Sequence, residues 1–136
     1  MEKDSPGWEM AAIFGRVNLY YFTGTMQDGV LLIRPEGDPV FWVRRSYERA
    51  RDESLFPSIR PMAGFRDAAR EAGTIPHRIE LETELVPVAL LERFRKHFPF
   101  SEVRSLDRQV MGIRAVKTAW EISLMERAGA IHERVL

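Results

Sequence analysis

Few side chains in this sequence stand where catalysis or metal binding would place them. Histidine occurs at His77, His97 and His132, and none has a second histidine at the spacing of a helical zinc site. Glu80, Glu82 and Glu84 alternate, so a strand would turn three carboxylates to one face, a set able to hold magnesium. The plainer expectation is a solvated strand exit, because the run leads straight to Pro87 with no second acidic cluster near it. Cysteine is absent, which removes disulfides, thiolate zinc ligands and a Cys nucleophile. No serine lies in a Gly-x-Ser-x-Gly elbow, and Gly15, Gly24 and Gly29 match neither a dinucleotide fingerprint nor a phosphate loop. Arg44, Arg45, Arg49 and Arg51 could fork onto a carboxylate or phosphate, but Glu48, Asp52 and Glu53 interleave with them. Ion pairing on a helix surface is therefore expected. In the aromatic run Leu19 to Phe22, neighbouring tyrosines cannot both point inward, so one hydroxyl should reach solvent or a partner.

The whole chain bounds these readings. Its 136 residues are enough for one core. Twenty basic and twenty acidic side chains cancel, leaving no summed field to draw the chain to nucleic acid or an anionic membrane. No apolar run is long enough to span a bilayer, and the polar start lacks a signal-peptide core. Cytoplasm is the expected setting.

Strand and helix signals alternate along the chain. Met10 to Phe14 is uniformly apolar between Gly7 and Gly15, as in a strand buried on both faces. Asn18 to Gly24 reads as a turn and loop, and Thr25 to Gly29 continues it. Val30 to Ile33 and Pro39 to Val43, joined through Pro35 and Gly37, predict an antiparallel hairpin. Ser46 is placed to cap a short charged helix that ends before Pro57, and Ser58 to Arg60 predicts a brief strand. A helix over Met62 to Ala72 is closed by Gly73, and Arg78 to Leu81 follows as strand. Pro87 opens a helix with Leu90, Leu91, Phe94 and Phe98 at helical spacing, stopped by Pro99. Glu102 to Leu106 is the last expected strand. Thr118 and Glu121 form a capping box, and Trp120, Leu124, Ala128, Ile131 and Val135 mark one face of the helix it starts. Neither Gly nor Pro ends that helix, so the polypeptide is expected to continue beyond Leu136. Together these predict an α/β fold, a mixed sheet flanked by helices.

Asn-Leu-Tyr-Tyr-Phe-Thr-Gly-Thr at 18 to 25, the hairpin after it, Val-Arg-Arg-Ser-Tyr-Glu-Arg-Ala at 43 to 50 and Ile-Arg-Ala-Val-Lys-Thr-Ala-Trp-Glu-Ile at 113 to 122 occur in an informative order. They resemble the N-terminal domain of the pita-bread metallopeptidases: Xaa-Pro dipeptidase, aminopeptidase P and creatinase. The resemblance implies a ribonuclease-H-like sheet over residues 1–116, with 117–136 starting a linker helix into an absent catalytic domain. It further implies that two divalent metal ions, manganese, cobalt or zinc, are bound beyond Leu136, and that this chain has neither catalytic nor metal-binding residues. Dimerisation and restriction of access to the active site are the implied roles, with Tyr20, Tyr21, Thr23, Gly24 and Thr25 near the substrate entrance. The implied partners are the chain's own C-terminal catalytic domain and a second copy, not nucleic acid or membrane. The sequence departs from the family pattern in having only a short polar leader before Met10, where members commonly have a helix. Two alternatives stand beside this reading: a free-standing ribonuclease-H-like nuclease using Asp28, Asp38, Glu80 and Glu82, and a pure dimerisation module.

Overall fold

A computed structural model describes residues 5–135. Among these, six strands form one sheet in the order β4-β3-β2-β1-β5-β6. The strands are β1 (Ala11–Ile13), β2 (Gly29–Ile33), β3 (Val40–Val43), β4 (Ile59–Pro61), β5 (Arg78–Leu81) and β6 (Glu102–Ser105). Only β2 runs against its neighbours: it is antiparallel to β1 and β3, while β3–β4, β1–β5 and β5–β6 are parallel. The expected hairpin and central strand are thus present, and the sheet is mixed.

Six helices accompany the strands among the described residues: α1 (Arg16–Thr23), α2 (Tyr47–Glu53), α3 (Phe65–Ala72), α4 (Val88–Arg95), α5 (Asp107–Ala115) and α6 (Ala119–Val135). Strand alternation sorts the core into two layers. Ala11, Ile13, Leu31 and Phe41 face Leu19 of α1, Ala50 of α2 and Val110 of α5. Ala12, Leu32, Trp42, Ile79 and Leu81 face Ala68 of α3 and Phe94 of α4. Phe94 centres a ring cluster, with Phe14, Phe65 and Phe98 at centroid distances of 5.3, 5.1 and 4.5 Å. All three residues of β1 are buried, because helices cover both faces there.

Several elements differ from the sequence reading. Asn18 to Gly24 is helical rather than a loop: α1 runs to Thr23, and Gly24 closes it at φ 79° with its N–H on the Tyr20 carbonyl. Asn, Tyr, Phe and Thr are middling helix formers, and the packing of Leu19 onto β1 and β2 overrides that local preference. Ser46 precedes α2 but lies at φ 57° and makes no side-chain cap bond. Residues 62–64 are a strand exit, and α3 starts only at Phe65, where Asp67 reaches back to the Ala63 and Gly64 amides at 2.8 and 3.4 Å. Helix α4 stops at Arg95, short of Pro99. Helix α5 falls where no element was expected.

Candidate functional site

The carboxyl ends of β1 and β5 form the crevice where an open α/β sheet with helices on both faces usually takes its ligand, since the following helices leave to opposite faces. Here α1 follows β1 onto one face and α4 follows β5 onto the other. The crevice is filled from within by Glu82. Its carboxylate is fully buried; Oε2 accepts the Phe14 and Gly15 amides at 2.6 and 2.7 Å. Oε1 accepts the Asn18 side-chain amide at 2.5 Å. The charge thus sits at the start of α1, where the helix dipole is positive and free N–H groups point outward. Gly15 makes the approach possible, because a Cβ there would lie 2.7 Å from Glu82 Oε1 and 2.8 Å from Leu85 Cδ1. The place an anionic ligand would occupy belongs to the protein's own carboxylate.

That burial corrects the expectation of a solvated strand exit. Glu80 is 1% exposed and Glu82 0%; only Glu84 faces solvent. Glu80 accepts from Ser5 Oγ at 2.7 Å and Arg78 Nε at 3.1 Å. Nor do the four acidic residues of the nuclease reading converge. Asp28 pairs with Arg44 at 2.6 Å at the start of β2, Asp38 lies at the opposite end of the β2–β3 hairpin, and Glu80 and Glu82 keep their own partners. Among the described residues no three His, Asp or Glu side chains stand together as a metal site. The donor groups of the described residues, His77, His97 and His132 included, therefore do not fit a dinuclear metal centre.

The predicted entrance residues all lie at the end of α1. Tyr20 is 55% exposed and Tyr21 half-buried, so one tyrosine does face outward. Thr23 and Thr25 are buried and spend their hydroxyls internally: Thr23 Oγ1 donates to the Leu19 carbonyl at 2.7 Å, and Thr25 Oγ1 to Glu53 Oε2 at 2.9 Å. The Arg49 guanidinium, followed by the Thr25 hydroxyl, holds the Glu53 carboxyl below its ordinary value. Of the arginine cluster, Arg44 and Arg49 are thus engaged by Asp28 and Glu53, and Arg51 lies over the Tyr47 ring at 5.9 Å.

Two features of the C-terminal region were absent from the sequence reading. Asp107, in the first turn of α5, accepts Thr83 Oγ1 and Ser105 Oγ, both at 2.7 Å. Burial pushes its carboxyl up, but these bonds outweigh it and hold it below its ordinary value. Arg114, in the last turn of α5, donates to Asn18 Oδ1 at 2.9 Å, extending the Glu82–Asn18 pair across the domain. The Leu106 and Val110 spacing on α5 was the available signal. The capping box is present as expected: Glu121 accepts the Thr118 amide at 2.7 Å, and Thr118 Oγ1 accepts the Glu121 amide at 3.2 Å. The Thr118 amide and hydroxyl, the Lys117 charge and the Tyr21 hydroxyl lower the Glu121 carboxyl. No residue of α6 is buried, and Trp120, Met125, Ile131 and Val135 are exposed. No helix among the described residues is long and apolar enough to cross a membrane.

Comparison with known proteins agrees with this geometry. Residues 4–116 match the family model described as the creatinase/prolidase N-terminal domain. The Xaa-Pro dipeptidase of Pyrococcus furiosus is 27% identical over 124 residues, which cover 88% of this chain but 34% of that protein. The chain thus spans about a third of the length of the curated relatives it matches. The crystal structure of the prolidase from Pyrococcus horikoshii OT3 superposes with a TM-score of 0.84 at 22% identity, over 96% of this chain and 38% of that one. The creatinase/prolidase N-terminal domain of an X-Pro dipeptidase from Streptococcus pyogenes gives 0.66 at 19% identity, covering 80% of this chain and 90% of that one. The chain belongs to the creatinase/prolidase N-terminal domain family.

Proposed function

We propose that this chain is the non-catalytic N-terminal part of an Xaa-Pro-directed peptidase, with the groups that activate water encoded after Leu136. One observation carries the reading: a family match over residues 4–116 is followed at once by a helix with an apolar face and no buried residue. An apolar helix surface of this kind calls for a covering body, and the matched dipeptidase has about two-thirds of its length beyond the aligned part. On this reading residues 1–116 are the accessory domain and 117–136 begin the next. The metal ions of the catalytic part, manganese, cobalt or zinc, are held by its own ligands, in keeping with the dispersed carboxylates here. The accessory domain supports a homodimer and narrows the path to the active site, with Tyr20 and Tyr21 as the rim and Thr23, Gly24 and Thr25 fixing the turn behind them. The absence of cysteine is in keeping with a cytoplasmic setting.

The test uses the longer product of the same gene, with Tyr20 and Tyr21 replaced by alanine. Cleavage of an Ala-Pro dipeptide should persist while an Ala-Pro-terminated pentapeptide becomes a better substrate. An unchanged preference for short peptides would remove the entrance role.

A further inference from the structure

A cavity of about 340 Å³ opens between the start of α3 and the second half of α4, on the sheet face opposite α1. Its size lies at the lower end of the range of small-molecule sites, roughly 300–1,000 Å³. Phe14, Met62, Phe65 and Leu90 form an apolar wall, in which the Phe14 and Phe65 rings meet edge to face at 6.1 Å. The other wall is cationic. Arg93, Lys96 and His97 stand three and four residues apart at the C-terminal end of α4, so their side chains share one face.

Other cations of the chain are spent within the protein: Arg44 forks onto Asp28 at 3.0 and 2.6 Å, Arg60 pairs with Glu71, and Arg95 lies over the Phe100 ring at 4.8 Å. The side chains of Arg93, Lys96 and His97 have no hydrogen-bond or ion-pair partner among the described residues. Asp28 is the one carboxylate in the lining, and Arg44 already neutralises it. Arg93 and Lys96 are thus an unbalanced positive pair in a chain whose charges otherwise cancel. The negative end of the α4 dipole favours cations, yet it gives them no reason to border an apolar cavity. The start of α3 does not compete for an anion, since Asp67 takes the Ala63 and Gly64 amides.

We propose that this cavity binds a small organic carboxylate with an apolar body. Arg93 supplies a planar fork and Lys96 a point charge for the carboxylate, with the His97 imidazole beside them, and the body lies on Phe14, Met62, Phe65 and Leu90. The assignment goes beyond the proposed function and does not rest on it.

3-Phenylpropionate, one carboxylate and one ring, is the probe. Titrated into the ¹⁵N-labelled chain, it should give saturable amide shifts at Gly29, Gly64 and Leu90 to His97, with a dissociation constant of about 1 mM or below. 3-Phenylpropanamide lacks the charge and acetate lacks the ring, so each should bind at least about tenfold more weakly. R93A/K96A should weaken 3-phenylpropionate at least about tenfold. R66A/R70A removes two exposed cations of α3 that lie outside the cavity and should leave binding unchanged. The site is refuted by any of three results: no saturable shift up to about 10 mM, the amide or acetate binding as well as 3-phenylpropionate, or R93A/K96A losing no more affinity than R66A/R70A. No peptide is cleaved in the measurement, so an inactive longer gene product would sink the proposed function and leave this result standing.

Discussion

Replacing Glu82 by glutamine keeps the shape of the side chain and changes only what it can accept. Glu82 Oε2 takes two backbone amides and Oε1 takes Asn18 Nδ2. A glutamine has one acceptor oxygen, so its NH₂ must confront either the Phe14 and Gly15 amides or Asn18. Turning Asn18 over gives no relief, since its NH₂ would then meet Arg114. At least one buried donor is stranded, costing about 1–3 kcal/mol, and the charge at the start of α1 is lost, about 0.3–2 kcal/mol more. E82Q should therefore destabilise the chain by about 2–4 kcal/mol, read as a fall of about 10 °C in the circular-dichroism melt. The reversed pair E82Q/N18D restores every contact, because the carboxylate introduced at position 18 can accept both from the new amide at position 82 and from Arg114. It should recover most of the loss, although N18D alone sets two carboxylates together and is itself destabilising. Urea titration of the four proteins closes the cycle. If E82Q unfolds within about 0.5 kcal/mol of the parent chain, or the two substitutions simply add, the directional account of the crevice is wrong.

Three further outcomes follow from the same structure. Gly15→Ala places a methyl group against Glu82 Oε1 and Leu85 Cδ1 and should cost about 1–3 kcal/mol in urea unfolding; a neutral result would mean the crevice is looser than its distances imply. Phe94→Ala removes the centre of the ring cluster and should cost about 3–5 kcal/mol, also measured by urea. The Glu121 carboxyl is lowered from its ordinary 4.5 in the folded chain, so it stabilises the start of α6 above that value and ceases to as pH falls through its folded-state pKa. Thr118 amide shifts followed by NMR should report fraying of this turn on acidification, and E121Q, which removes the titrating carboxylate, should abolish the pH dependence.

The elements easiest to read in the sequence were those with local signals. Strand β5 coincides with the expected Arg78–Leu81, and the hairpin lies between its Pro and Gly because those residues set backbone angles without outside help. Helix α1 was illegible for the opposite reason. Its start has no side-chain cap of its own; the acceptor is Glu82, more than 60 residues away, and no local rule can supply it. The same fact hid the burial of Glu82, since alternating glutamates look solvated until a parallel neighbour places them at an inner strand of the sheet. Helix α5 begins within two residues of β6, so its onset was concealed by the strand signal, and its apolar spacing at Leu106 and Val110 was the cue. The segment from Tyr20 to Thr25 was conspicuous by its residues, but its helical form, and the inward turn of Thr23 and Thr25, depend on contacts with Ser54 and Glu53.

The decisive measurement compares this 136-residue chain with the longer gene product proposed above, each given manganese and an Ala-Pro dipeptide, with free proline as the readout. The account requires release by the longer product alone. Proline release by the isolated chain at a comparable rate would contradict it, because water would then be activated by side chains within residues 1–136.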